Sequence, residues 1–93
     1  MFKFSLGRVV ETSGVHNMRI VNDKFNNFVA KSFVRHCNGD WGDLDKEDKR
    51  ANELALKNDF RLLSRYVFDG DIKIYIITEW DRSCTTILFS EEY

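Results

Sequence analysis

Between Asn22 and His36 the side chains that could face a core recur at helical spacing. Phe25, Phe28, Val29, Ser32, Phe33 and His36 fall at i, i+3, i+4, i+7, i+8 and i+11, which places them along one stripe of a helix. This spacing predicts a helix that Asn22 or Asp23 caps at its start and that Asn38 and Gly39 stop, since both tolerate positive φ. A second helix is expected over "KEDKRANELALKN", beginning at Asp45, whose carboxylate can accept from the backbone N–H near Asp48. Ala51, Leu54 and Ala55 would face inward, Lys49–Glu53 and Glu53–Lys57 would pair along the surface, and Asn58 would end it.

The pattern then changes. "FRLLSRYVF", "IKIYIITE" and "SCTTILF" are rich in β-branched and aromatic residues, and "DGD" at 69–71 supplies the Asp-Gly pair of a tight hairpin. These segments predict a three-stranded antiparallel meander with Ile72–Glu79 central. Near the start, "FKFSLGRVVE" carries a short β-prone run around Arg8, Val9 and Val10, which the Gly14 region is expected to break. The expected class is α+β in the order β-α-α-β-β-β. A short N-terminal strand joins a two-helix hairpin packed on a three- to four-stranded antiparallel sheet, and residues 1–93 make one domain.

Composition agrees with one modest core. The 93 residues are 43% hydrophobic, 14% aromatic and 31% charged, the balance of a globular chain. Proline is absent, so the turns fall to Gly, Asn, Asp and Ser. Net charge is −1 but unevenly spread: residues 1–39 carry six Lys/Arg against Glu11 and Asp23, net +4, and residues 40–93 carry eight against thirteen acids, net −5. Neither half is basic enough for a strong nucleic-acid footprint, and the whole is too close to neutral for a DNA mimic. The longest apolar run, Ile74 to Ile77, is far short of a membrane span, and no leader is visible. A cytoplasmic chain with Cys37 and Cys84 as reduced thiols is the expectation, with no membrane contact.

The chemically densest stretch is "HCNGDWGD" at 36–43. Zinc would need spaced pairs of N or S ligands, whereas His36 and Cys37 are adjacent and point about 100° apart on a helix, and His16 and Cys84 lie far off. An EF-hand starting at Asp43 needs glycine sixth and glutamate twelfth, where this chain has Asp48 and Leu54. Cys37 beside His36, or Ser83 beside Asp81, lacks the framing of an activated nucleophile, and a helix C-terminus raises a thiol's pKa. "GDWG" lacks the lysine of a phosphate loop. The stretch therefore reads as the hinge between two helices, with Trp41 anchoring it on the core. No metal, no cofactor and no catalytic residue is expected.

Three other groupings remain. Glu79, Trp80, Asp81 and Arg82, within "TEWDRSCTT", form a turn that can also be a contact surface, because Trp and Arg are frequent at binding hot spots. Lys24, Lys31 and Arg35 could meet a protein partner or, as an alternative and with Arg19, nucleic acid. Asp40 and Trp41 could face a partner from the hinge, and an enzyme would require His36, Asp40 and Asp81 to meet in space.

"GDWGDLDKEDKRANELALKNDFRLLSRY" followed by "IKIYIITEWDRSCTTILFSEEY" resembles a family of small plasmid-related proteins of Firmicutes and related bacteria, most closely over residues 35–93. The chain departs from that pattern at Asp59, where glycine is usual, and at Ser90, where proline is usual. The resemblance carries over no catalytic residues. It implies a mobile-element protein of a phage or plasmid that acts by stoichiometric protein–protein contact in the bacterial host cytosol. The specific expectation is an anti-CRISPR inhibitor of an RNA-guided effector nuclease, of type VI.

Overall fold

Thr12 and Asn22 decide how the N-terminal third folds. In the computed structural model, which describes residues 2–93, each caps a helix with its own side chain. Thr12 Oγ1 accepts from Val15 N at 3.3 Å to open α1 (Ser13–Val21), and Asn22 Oδ1 accepts from Phe25 N at 3.0 Å to open α2 (Asp23–Cys37). Only Asn22 separates the two helices, in an extended conformation that turns the chain sharply. The expected break at Gly14 is thus the first turn of a further helix. Gly14 is used there for closeness: an added Cβ would sit 2.9 Å from Glu92 Oε2. In α1 only Val15 is fully buried, so the helix carries little periodic signal and is held by its cap and its contact with α2.

The later elements follow the predicted order, but α3 buries a different face from the one expected: Asn52 and Ala55 are buried, whereas Ala51 and Leu54 are exposed. α3 (Lys46–Asn58) is capped by Asp45, whose carboxylate accepts from Asp48 N at 2.8 Å. It ends at Asp59, which adopts the left-handed conformation at φ 54°. β2 (Leu62–Asp69) and β3 (Ile72–Thr78) form a hairpin around Gly70, and β4 (Cys84–Phe89) pairs antiparallel with β3 before a 3-10 turn, Ser90–Glu92.

The sheet departs from the expected all-antiparallel form at one edge. Its strand order is β1-β4-β3-β2, where β1 (Arg8–Glu11) lies parallel to β4 with Arg8 opposite Cys84 and Glu11 opposite Ile87. Alternation along a strand fixes its faces and says nothing of its direction. The parallel pairing is accompanied by a close backbone approach: Gly7, at φ 63°, lies so near Ser83 that a Cβ would fall 2.3 Å from the Ser83 carbonyl carbon.

One face of the sheet carries the main core, where Val15, Phe25 and Val29 of the helices meet Tyr66, Ile74, Ile76 and Ile87. A smaller cluster of Trp41, Ala55 and Leu62 seats α3 at the start of β2. The segment between α2 and α3 is more than a hinge, because it pairs with the sheet. Arg65 N donates to Trp41 O at 3.2 Å and Asp43 N donates to Arg65 O at 2.6 Å, with Gly42 opposite Arg65. A Cβ on Gly42 would sit 2.1 Å from Arg65 O.

One turn further along the same edge, Asn52 of α3 does what a neighbouring strand would do. Its Nδ2 donates to Leu63 O at 2.7 Å and its Oδ1 accepts from Leu63 N at 3.1 Å. The outer edge of β2 is thereby sealed at both Leu63 and Arg65.

Replacing Asn52 with Ala leaves Leu63 N–H and C=O unpaired, and a loss of about 1–3 kcal/mol is expected in urea unfolding. Asp59→Gly should act oppositely, raising stability by about 1 kcal/mol in the same measurement, because glycine adopts φ 54° without the steric cost of a side chain.

Candidate functional site

The polar residues at inward strand positions converge on His36. Ser64 of β2, Thr78 of β3 and Thr85 of β4 each follow the alternation toward the helices, and all three, like His36, are 0% exposed. Donor counting orders the chain of contacts. Leu6 O can only accept, so Thr85 Oγ1 spends its proton there at 2.8 Å and accepts from Thr78 Oγ1, also at 2.8 Å. Thr78 then accepts from His36 Nε2 at 2.9 Å, and because burial keeps the ring neutral, Nδ1 accepts from the Ser64 hydroxyl at 2.5 Å. His36 is thus a neutral imidazole protonated on Nε2. Burial pushes its pKa from 6.5 down to about 4.

A serine hydroxyl on a histidine nitrogen has the look of a nucleophile with its base. Here neither atom meets solvent, Phe4 and Trp41 close the ring at 5.3 and 5.8 Å between centroids, and no substrate can reach Ser64. The arrangement ties α2 to three strands and the N-terminal segment.

The constellation of His36, Asp40 and Asp81 does not share one reacting centre, because each group is committed elsewhere. Asp40 is exposed and forms a two-point pair with Arg35, at 2.7 and 3.1 Å, which holds its carboxyl below the usual range and raises the guanidinium. Asp81 caps its own turn, accepting from Ser83 Oγ at 2.6 Å and Ser83 N at 3.1 Å, and these bonds lower its pKa. Burial raises the pKa of the Cys37 thiol. Among the described residues, no group of three or more His, Cys, Asp or Glu is arranged to hold a metal.

Trp41 and Arg82 also differ from the contact roles read in the sequence. Trp41 is 4% exposed, stacks on Phe4 and donates Nε1–H to Glu53 at 2.7 Å, so its surface is spent inside the fold. Arg82, itself at φ 60°, turns its guanidinium inward. Nη2 donates to Ala55 O at 2.9 Å, and Nη1 donates to Phe60 O at 2.7 Å and Glu79 O at 3.1 Å. Those bonds add a side-chain donor to a carbonyl near the end of α3 and fasten the β3–β4 turn to the α3–β2 connection.

The consequence is an aromatic tip whose two backbone segments are joined. Trp80 at 63% and Phe60 at 59% exposure project from the two segments that Arg82 joins, with Asp81 exposed and Glu79 half-buried beside them. Trp80 stood out in the sequence as part of "EWDR". Phe60 did not, because only the tertiary role of Arg82 brings its connection beside the turn. Lys24 and Lys31 lie exposed along α2, whereas Arg35 is paired with Asp40 and Arg19 with Glu11.

No helix of the described residues is long and apolar enough to cross a membrane. Comparisons of the chain with protein-family models, curated proteins and solved structures give no match.

Because the unfolded chain takes up a proton at position 36 that the folded chain refuses, stability should fall as pH drops from 6.5 to about 4. The slope approaches about 1.4 kcal/mol per pH unit and the total is about 3 kcal/mol. Urea unfolding across that range, compared with His36→Gln, should show this component in the native chain and not in the variant.

Proposed function

We propose that this chain is a non-enzymatic binding protein that acts by direct protein–protein contact through the tip formed by Trp80 and Phe60. The observation that carries this is the pair of large aromatic side chains held in solvent on two segments that Arg82 clamps together. Aromatic side chains have few torsions to immobilise when a partner covers them, and such residues dominate binding energy at interfaces. The inaccessible Ser64–His36 pair and the separate commitments of Asp40 and Asp81 fit a binding role better than a catalytic one.

The finer reading is an anti-CRISPR inhibitor whose partner is an RNA-guided effector nuclease of type VI. Its support is the resemblance of the "GDWG" turn, the "DRS" turn and the terminal "EEY" to small mobile-element proteins. A nucleic-acid-binding regulator would have to rely on Lys24 and Lys31, since Arg19 and Arg35 are paired within the chain.

Co-purification of the tagged chain with candidate effector nucleases tests both levels. A stable complex with a type VI effector, together with loss of its RNA cleavage, is the expected result. Trp80→Ala and Phe60→Ala should each weaken that complex about 30-fold, the scale of a hot-spot truncation. Binding that survives both substitutions would overturn the tip as the contact, and failure to bind any effector would overturn the anti-CRISPR reading.

A further inference from the structure

The two edges of the sheet are treated differently. Along β2, the outward N–H and C=O of Leu63 are occupied by the Asn52 amide, and those of Arg65 by Asp43 N and Trp41 O. Along β1, Arg8 N donates to Ser83 O and Thr12 N to Ile87 O, both at 3.0 Å, so the even-numbered residues face β4. Val9 and Glu11 therefore point their N–H and C=O groups away from the sheet. No strand, loop or side chain among the described residues takes them.

Beside this open edge lies a groove of about 500 Å³ between β1 and α2, lined mainly by aliphatic and aromatic side chains such as Val9, Val29, Phe33 and Val34, together with the paired Glu11 and Arg19. Val9 and Val34 are 46% and 54% exposed, so the groove presents aliphatic surface to solvent next to unpaired backbone. These are the two components of strand addition: main-chain groups that supply affinity and a recess that accepts an alternate side chain.

Charge selects the occupant. Arg8 precedes Val9 on the edge strand itself. It is exposed and has no acidic partner among the described residues, whereas Glu11 is already held by Arg19 and His16. Two copies of this chain edge to edge would bring together the halves that each carry six Lys/Arg against two acids. An acidic segment would be drawn to the same place. We propose that the β1 edge takes an extended, acidic segment of a partner protein as an added strand, with an aliphatic side chain in the groove and a carboxylate beside Arg8. The groove contains neither Trp80 nor Phe60, so this proposal stands or falls independently of the effector reading.

The test is a titration of the isotopically labelled chain with two synthetic peptides, Asp-Glu-Val-Ile-Val-Glu-Asp and Lys-Lys-Val-Ile-Val-Lys-Lys, followed by amide chemical shifts and hydrogen exchange. The acidic peptide should shift and protect the Val9 and Glu11 amides. The basic peptide should bind at least about tenfold more weakly. Val34→Glu, at an exposed helix position that leaves the core intact, should weaken the acidic peptide by a similar factor, and Val9→Pro should abolish protection. No response at Val9 and Glu11 at millimolar peptide would overturn the proposal. So would equal binding of both peptides, or concentration-dependent shifts at those amides without peptide, which would mean that a second copy fills the edge.

Discussion

The fold depends on a line of hydrogen bonds that runs from the Ser64 hydroxyl through the His36 ring, Thr78 and Thr85 to the carbonyl of Leu6. Every member is fully buried or faces inward, so each must be satisfied or it destabilises the interior by its full desolvation cost. Because Leu6 O can only accept and the buried ring is neutral, the direction of every bond follows, and with it the tautomer of a histidine. The same line attaches α2, β2, β3, β4 and the N-terminal segment to one another. Apolar packing around it is less particular about register, whereas this chain of donors and acceptors is complete in one alignment only.

Sealing of the β2 edge follows from where that line places α2. With His36 anchored, the chain leaves α2 beside β2, and residues 41–43 pair with Arg65 before α3 begins. Tyr66 reaches back to the Asp40 carbonyl at 2.6 Å, and Arg35 lies over the Tyr66 ring while its guanidinium holds the Asp40 carboxylate. Trp41 then fills the space among Phe4, Ala55 and Leu62, which positions α3 so that Asn52 reaches Leu63. Arg82 closes the far end of α3 against the β3–β4 turn. The aromatic tip and the open β1 edge are what this scheme leaves in solvent.

The segment 36–43 concentrates residues that metal and catalytic sites also use, and its density has a different origin. His36 and Trp41 are there because a small core needs large groups that can also hydrogen-bond, Gly42 because backbone comes within reach of Arg65 O, and Asp40 because Arg35 sits one turn back. Ser64, Thr78 and Thr85 complete the arrangement from strands whose sequences look ordinary. The sole trace of them is a polar residue at an inward position of an otherwise apolar alternation, as in Leu62-Ser64-Tyr66.

Local physics was enough for much of this protein. The caps at Asn22 and Asp45, the stop at Asn58, the Asp-Gly hairpin and the alternation of three strands involve neighbours in the chain, so the sequence by itself determined them. It also marked Trp80 as exposed turn chemistry. The tertiary structure decided what depends on partners far along the chain: the parallel direction of β1, the helical fate of residues 13–21, the use of His36 as a donor between strands, the inward turn of Arg82, and which sheet edge stays open. Pairing energies at such separations leave no periodic mark in the sequence, because a hydrogen bond between residues 36 and 78 constrains their distance in space and not their spacing in the chain.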